Sequence, residues 1–157
     1  KAAAEMGVWM VNVHASGGAE MMRKAKQAIE SSSHPQTKLI AVTVLTSMDQ
    51  DQLKDVVPGV TPAEQVAKLA ALTADSGLDG VVCSAKEAVM LRKSLPESFL
   101  LVTPGIRPAG ADVGDQKRVM TPVDAIEAGV SYLVMGRPIT QADDPLATLA
   151  RVNESIQ

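Results

Sequence analysis

The chain has 157 residues, 46% apolar and 21% charged, enough for one domain with a sizeable core. A net charge of −3 and an aromatic content of 2% argue against a nucleic-acid binder, which needs a basic face and rings on which bases stack. No apolar run approaches the ~20 residues of a membrane helix, nothing reads as a signal peptide, and the lone Cys83 rules out an internal disulfide and fits a reducing cytoplasm.

Lys1 to Met6 are helix formers and Gly7 suits the residue just past a helix end. This reads as the last turns of a helix that begins upstream, so the chain is expected to be a C-terminal portion. Val8–His14 is apolar and β-branched, a strand expected to be buried on both faces, with Asn12 and His14 on one side. Ala15-Ser-Gly-Gly18 is a turn, and Ala19–Glu30 has helical spacing in Met21, Met22, Ala25, Ala28 and Ile29. Leu39–Leu45 is a near-continuous apolar strand, followed at once by Thr46 and Ser47. Met48–Gly59 is a polar connection with room for one helical turn.

Thr61-Pro-Ala-Glu64 is a capping box with proline at the first helical position, opening a helix through Ser76 that Gly77 stops. Asp79–Cys83 is a strand, and Ser84-Ala-Lys-Glu87 is a second capping box that starts a helix to Ser94. Phe99–Thr103 is a strand. Pro104–Met120 is a long loop carrying Arg107, Asp112, Asp115, Gln116, Lys117 and Arg118, and loops of such length inside a compact domain are usually functional. Thr121-Pro-Val-Asp124 caps a short helix ending at Gly129; Tyr132–Met135 is a short buried strand that gives way to Gly136 and Arg137; and a last helix runs from Asp144-Pro145 to Ile156.

Strand and helix thus alternate five times, about 31 residues per unit, the arithmetic of a (β/α)₈ barrel of ~250 residues. Apolar strands with helices between them mean a covered parallel sheet. An open doubly wound sheet and a TIM barrel lacking its first three units both fit. No GxGxxG follows a strand, and a Gly-Arg after the final strand matches the recurrent barrel phosphate site after strands 7 and 8. The fold class is therefore α/β, with residues 1–157 a single domain supplying strands 4–8 of a TIM barrel. Such a remnant leaves apolar edges at Val8–His14 and Tyr132–Met135 and is expected to fold poorly alone.

The reactive face of a parallel α/β array lies at the C-terminal ends of its strands. That places His14, Ser16, Thr46, Ser47, Ser84, Thr103–Arg107, Gly136 and Arg137 on one rim. Arg107 and Arg137 each follow a strand-end glycine turn and could clamp one anion with two bidentate forks; the alternative is two solvated arginines. Thr46 and Ser47 could contact a substrate or cap a turn. Gln116 reads by itself as a surface glutamine, His14 as a structural histidine, and Cys83 as core. His14 and His34 are too far apart and too differently placed for a metal motif.

The runs Gly7-Val-Trp-Met-Val-Asn-Val-His-Ala-Ser-Gly-Gly18, Ile40-Ala-Val-Thr-Val-Leu-Thr-Ser-Met48, Gly77-Leu-Asp-Gly-Val-Val-Cys-Ser84, Leu101-Val-Thr-Pro-Gly-Ile-Arg-Pro108 and Met135-Gly-Arg-Pro-Ile-Thr140 closely resemble orotidine 5′-phosphate decarboxylases of the bacterial type, in order and over essentially the whole chain. The resemblance implies a dimeric TIM barrel that converts orotidine 5′-monophosphate (OMP) to UMP and CO₂ without metal or organic cofactor. By the same resemblance Gln116, Gly136 and Arg137 match phosphate binders, Arg107 a loop arginine at the phosphate end, and Thr46 a substrate contact. The family's Lys/Asp array, including Asp-x-Lys-x-x-Asp, would stabilise and protonate the carbanion at C6. No such motif occurs in this sequence, so the chain alone is expected to grip nucleotide without turning it over. Another phosphate-binding barrel lyase or isomerase, or a non-catalytic nucleotide-binding module, are the alternatives.

Overall fold

A computed structural model describes residues 1–108 and 119–157. The elements are α1 (Ala2–Glu5), β1 (Met10–His14), a 3₁₀ turn (Ala15–Gly17), α2 (Gly18–Glu30), β2 (Lys38–Val42), α3 (Gln50–Lys54), α4 (Pro62–Asp75), β3 (Gly80–Val82), α5 (Ala85–Arg92), β4 (Leu100–Thr103), α6 (Pro122–Glu127), β5 (Tyr132–Leu133), α7 (Arg137–Thr140) and α8 (Pro145–Ser155). Side-chain caps set the helix starts. Both expected capping boxes form, Thr61 with Glu64 and Ser84 with Glu87, and Asp49 with Gln52 makes a third at α3. Thr121 and Asp144 cap α6 and α8 by accepting from Asp124 and Ala147 N–H groups.

The five strands are all parallel and lie in chain order, β1-β2-β3-β4-β5. A doubly wound sheet reverses its order at a switch point; an unbroken order with right-handed crossovers places every helix on one face and winds the sheet as a barrel. The curvature is visible directly. The Trp9 ring, just ahead of β1, meets the Tyr132 ring of β5 edge-on, 5.0 Å between centroids. Across a flat sheet, strands four places apart would be separated by roughly 19 Å at ~4.8 Å per strand. The architecture is therefore an arc of a TIM barrel, five consecutive βα units with β1 and β5 facing each other over the concave side.

Register sorts the strand residues between the faces. Val11, Val13, Leu39 and Ala41 pack outward against Met22, Ile29 and Leu69 of α2 and α4. Val81 and Leu101 pack outward with Val66, Ala70, Ala88, Leu91 and Ala125. His14, Val42, Val82, Val102 and Tyr132 are register partners in one row on the concave face. Gly80 lets β3 approach β4 closely: a Cβ there would lie 2.3 Å from the Leu100 carbonyl oxygen. At the N-terminal end of the strands Asp79 accepts from Leu39 N–H (2.8 Å) and Lys26 Nζ (3.1 Å), with Lys38 Nζ at 3.8 Å, and so ties α2, β2 and β3 together.

Two expectations need correction. β1 is not buried on both faces: Asn12 and His14 are exposed, because β1 is an outer strand whose concave side has no described layer over it. β5 is likewise not a buried strand. It pairs over only Tyr132 and Leu133, and Tyr132 and Val134 are exposed on the same open side. The strand run also starts later than Val8, although pairing persists below it, since Lys38 N–H donates to the Trp9 carbonyl at 2.9 Å.

Candidate functional site

All strands point the same way, so the residues that follow them share one rim. After β4 the chain turns at Gly105 (φ +76°), and Ile106 forms a parallel bridge with Met120. Arg107 N–H donates to the Met120 carbonyl at 3.0 Å, which clasps the two described ends of the long loop. The Arg107 side chain is buried, with Nη1 donating to its neighbour Ile106's carbonyl at 2.9 Å. It is thus no solvated arginine but a permanent charge held inside the rim, where hydrogen-bonded company offsets its desolvation. Gln116, Asp112, Asp115, Lys117 and Arg118 lie outside the described residues.

β5 continues upward as Val134 N–H donates to the Thr103 carbonyl at 2.8 Å. Gly136 then caps α7, its carbonyl accepting from Ile139 N–H (2.9 Å) and Thr140 N–H (3.0 Å). Pro138 sits in that first turn, where its missing N–H costs nothing. A Cβ built on Gly136 would meet nothing within 4 Å, so the backbone there can be approached closely. Arg137 is exposed beside it, on the strand adjacent to that of Arg107.

Thr46 lies four residues beyond β2 and is buried. The chain reaches it over Thr43, which donates to the Val82 carbonyl through both N–H (3.2 Å) and Oγ1 (2.7 Å). Nearby, His14, Ser16, Thr43, Met48 and Gln65 help line a cavity of about 190 Å³ at the upper ends of β1 and β2. Thr43 escaped the sequence reading because it is indistinguishable there from the apolar strand around it.

Ser84, expected on the rim, is buried and spends its hydroxyl on the Lys86 N–H at the start of α5. Cys83 is fully buried core. The Thr103 hydroxyl is buried with no hydrogen-bond partner among the described residues. Hydrogen bonds shift the ionisation of the Glu5 and Glu64 carboxyls. Glu5 is lowered chiefly by the Ser33 hydroxyl, Glu64 chiefly by the Thr61 N–H and then its hydroxyl. The described rim thus brings Arg107, the approachable Gly136 and the exposed Arg137 to neighbouring strand ends, a set of donors suited chemically to an anion. No helix among the described residues is long and apolar enough to cross a membrane.

A curved, chain-ordered parallel sheet with a basic rim after its last two strands defines the class of (β/α)₈-barrel proteins. The chain belongs to the orotidine 5′-phosphate decarboxylase / HUMPS family, whose model matches residues 1–152. It is 64% identical over 156 residues to an orotidine 5′-phosphate decarboxylase of Pseudoalteromonas translucida and 62% identical to one of Aliivibrio fischeri, in each case over 99% of this chain and 67% of the relative. A crystal structure of orotidine 5′-phosphate decarboxylase from Lactobacillus acidophilus superposes with a TM-score of 0.85 at 39% identity, over 99% of this chain and 66% of that one.

Proposed function

We propose that the protein is an orotidine 5′-monophosphate decarboxylase, a carboxy-lyase that breaks the bond from C6 of the pyrimidine to its carboxylate, protonates C6, and releases UMP and CO₂. The observation that carries this reading is the pairing of Gly136–Arg137 and Arg107 on adjacent strand ends, in a chain so close to decarboxylases of that name. In this reading Gly136, Arg137 and Gln116 hold the phosphate, Arg107 closes over its end, and Thr46 contacts the nucleotide from across the arc. Residues 1–157 act as one domain and as its gripping part: the phosphate contacts supply binding energy that orders the reacting end of the substrate. The reading brings with it a homodimer in the cytoplasm; sedimentation as a monomer at working concentration would remove the first.

Full-length enzyme should decarboxylate OMP, and Arg137→Ala should lower kcat/KM for OMP while leaving the fold intact; unchanged efficiency would dismiss the assignment. The sequence contains no Asp-x-Lys-x-x-Asp, which favours a second reading of these 157 residues by themselves, a nucleotide-binding module without turnover. UMP binding without CO₂ release by the chain would support it, and failure to bind UMP would remove it.

A further inference from the structure

At the opposite end of the strands from the rim, Arg92 closes α5 and spreads its guanidinium over two segments, Pro96–Phe99 and Gly129–Ser131. Nη1 donates to the carbonyls of Pro96 (2.9 Å) and Phe99 (2.7 Å), Nε to that of Gly129 (2.9 Å), and Nη2 to Ser131 Oγ (3.0 Å). Ser131 in turn grips β4 twice. Its N–H donates to the Leu101 carbonyl at 2.9 Å, and its Oγ accepts from Leu101 N–H at 3.1 Å. Gly129 makes room for this: its φ is +95°, and a Cβ there would stand 3.0 Å from Arg92 Cγ. A cleft of about 610 Å³ opens alongside, lined by Arg92, Gly129 and Ser131 among others. With space beside it, the side chain is held by its hydrogen bonds more than by packing.

What this clamp fixes is the start of β5, the shortest of the five strands. β5 is two residues long, in register with β4 through Val102–Tyr132 and Thr103–Leu133, and the Ser131 bonds to Leu101 lie immediately before that pairing. A slip of one residue would move the chain by ~3.3 Å and turn every side chain to the other face. Gly136 and Arg137 follow on the same stretch of chain, so such a slip would carry them off the rim.

We propose that Arg92 is a positioning residue for the phosphate grip: through Ser131 and Gly129 it sets the register of β5 and thereby the place of Gly136 and Arg137. The proposal rests on the reading that Gly136 and Arg137 hold a nucleotide phosphate. Lysine cannot substitute, because one ammonium point cannot span four acceptors on two segments as a planar fork does.

The test compares UMP with uridine, which lacks the phosphate, by titration calorimetry on full-length enzyme and on Arg92→Lys, Arg137→Ala and the double variant. Arg92→Lys should weaken UMP roughly tenfold, short of the ~100-fold that a 1 Å misplacement can cost, and leave uridine within about twofold. In the Arg137→Ala background Arg92→Lys should cost UMP clearly less than tenfold, since only the Gly136 backbone is left for it to position. Equal losses for UMP and uridine would show a general structural role and overturn the proposal. So would an unmoved UMP affinity, or a full tenfold loss on top of Arg137→Ala. Should Arg92→Lys fail to fold, Ser131→Ala keeps the arginine, removes one acceptor, and must show the same selective loss on a smaller scale. A wild-type enzyme that binds UMP no better than uridine would remove the phosphate site and this proposal together; selective UMP binding that Arg92→Lys leaves intact would remove this proposal alone.

Discussion

The two ends of the sheet are built on different principles. At the N-terminal end charged side chains turn inward and are used up on backbone: Asp79 on Leu39 and two lysines, Arg92 on three carbonyls and a serine. At the C-terminal end the strands finish in short turns that leave Gly136 approachable and Arg137 exposed, with Arg107 tucked behind. The same residue type thus serves as a staple below and as a proposed ligand hand above. The lower end can be rigid because it need not admit anything, and its rigidity holds the upper end in place.

The comparison can be broken from either side. Gly80→Ala at the lower end should have the largest effect. The added carbon would collide with the backbone of β4, which cannot step aside, and urea denaturation should show a loss of about 3 kcal/mol. Arg137→Ala should act only above. We expect kcat/KM for OMP to fall roughly 100-fold, about 2.7 kcal/mol at 1.36 kcal/mol per decade, with the unfolding midpoint unchanged. Asp79→Ala reverses that pattern. It orphans the Leu39 N–H and should cost about 2 kcal/mol of stability, with UMP affinity unchanged. A drop in UMP affinity for Asp79→Ala would blur the division between the ends.

Smaller effects sharpen the picture. Thr61→Ala removes the cap of α4 and should cost about 1 kcal/mol in the same denaturation experiment. The smallest concerns pH. The Glu64 carboxyl is held below its ordinary 4.5 by the Thr61 N–H and hydroxyl. Its contribution is present above pH 4.5 and lost as pH falls through the lowered value. Glu64→Gln, neutral throughout, should therefore differ most from wild type near neutrality and converge with it in acid. A gap that widens on acidification would contradict that sign.

Much of this was legible in the residues. Capping boxes are local, so Thr61–Glu64 and Ser84–Glu87 announced their helices correctly, and the Gly136–Arg137 break announced the turn that opens α7. The alternation of apolar strands with helices led to a parallel sheet, and the chain-ordered pairing then chose the barrel over the doubly wound sheet. The open edges of β1 and β5 follow from a five-strand remnant, but exposure of their concave faces was not legible, because an apolar strand carries no mark of whether a neighbour covers its second face. Nor were the staples. Lys26 reaches Asp79 across 53 residues and Arg92 reaches Ser131 across 39, and partners that distant leave no pattern in a window of chain. Ser84 reads in the sequence both as a helix cap and as a rim residue, and its hydroxyl serves the cap.

Trp9 and Tyr132 are the chain's only tryptophan and only tyrosine, and they touch across the hollow of the arc. Light absorbed by the phenol passes to an indole at that range before it can be emitted. Tyrosine emission should be nearly dark while the sheet keeps its bend and should brighten as the outer strands part. The molecule thus carries its own optical gauge of curvature, readable without a label.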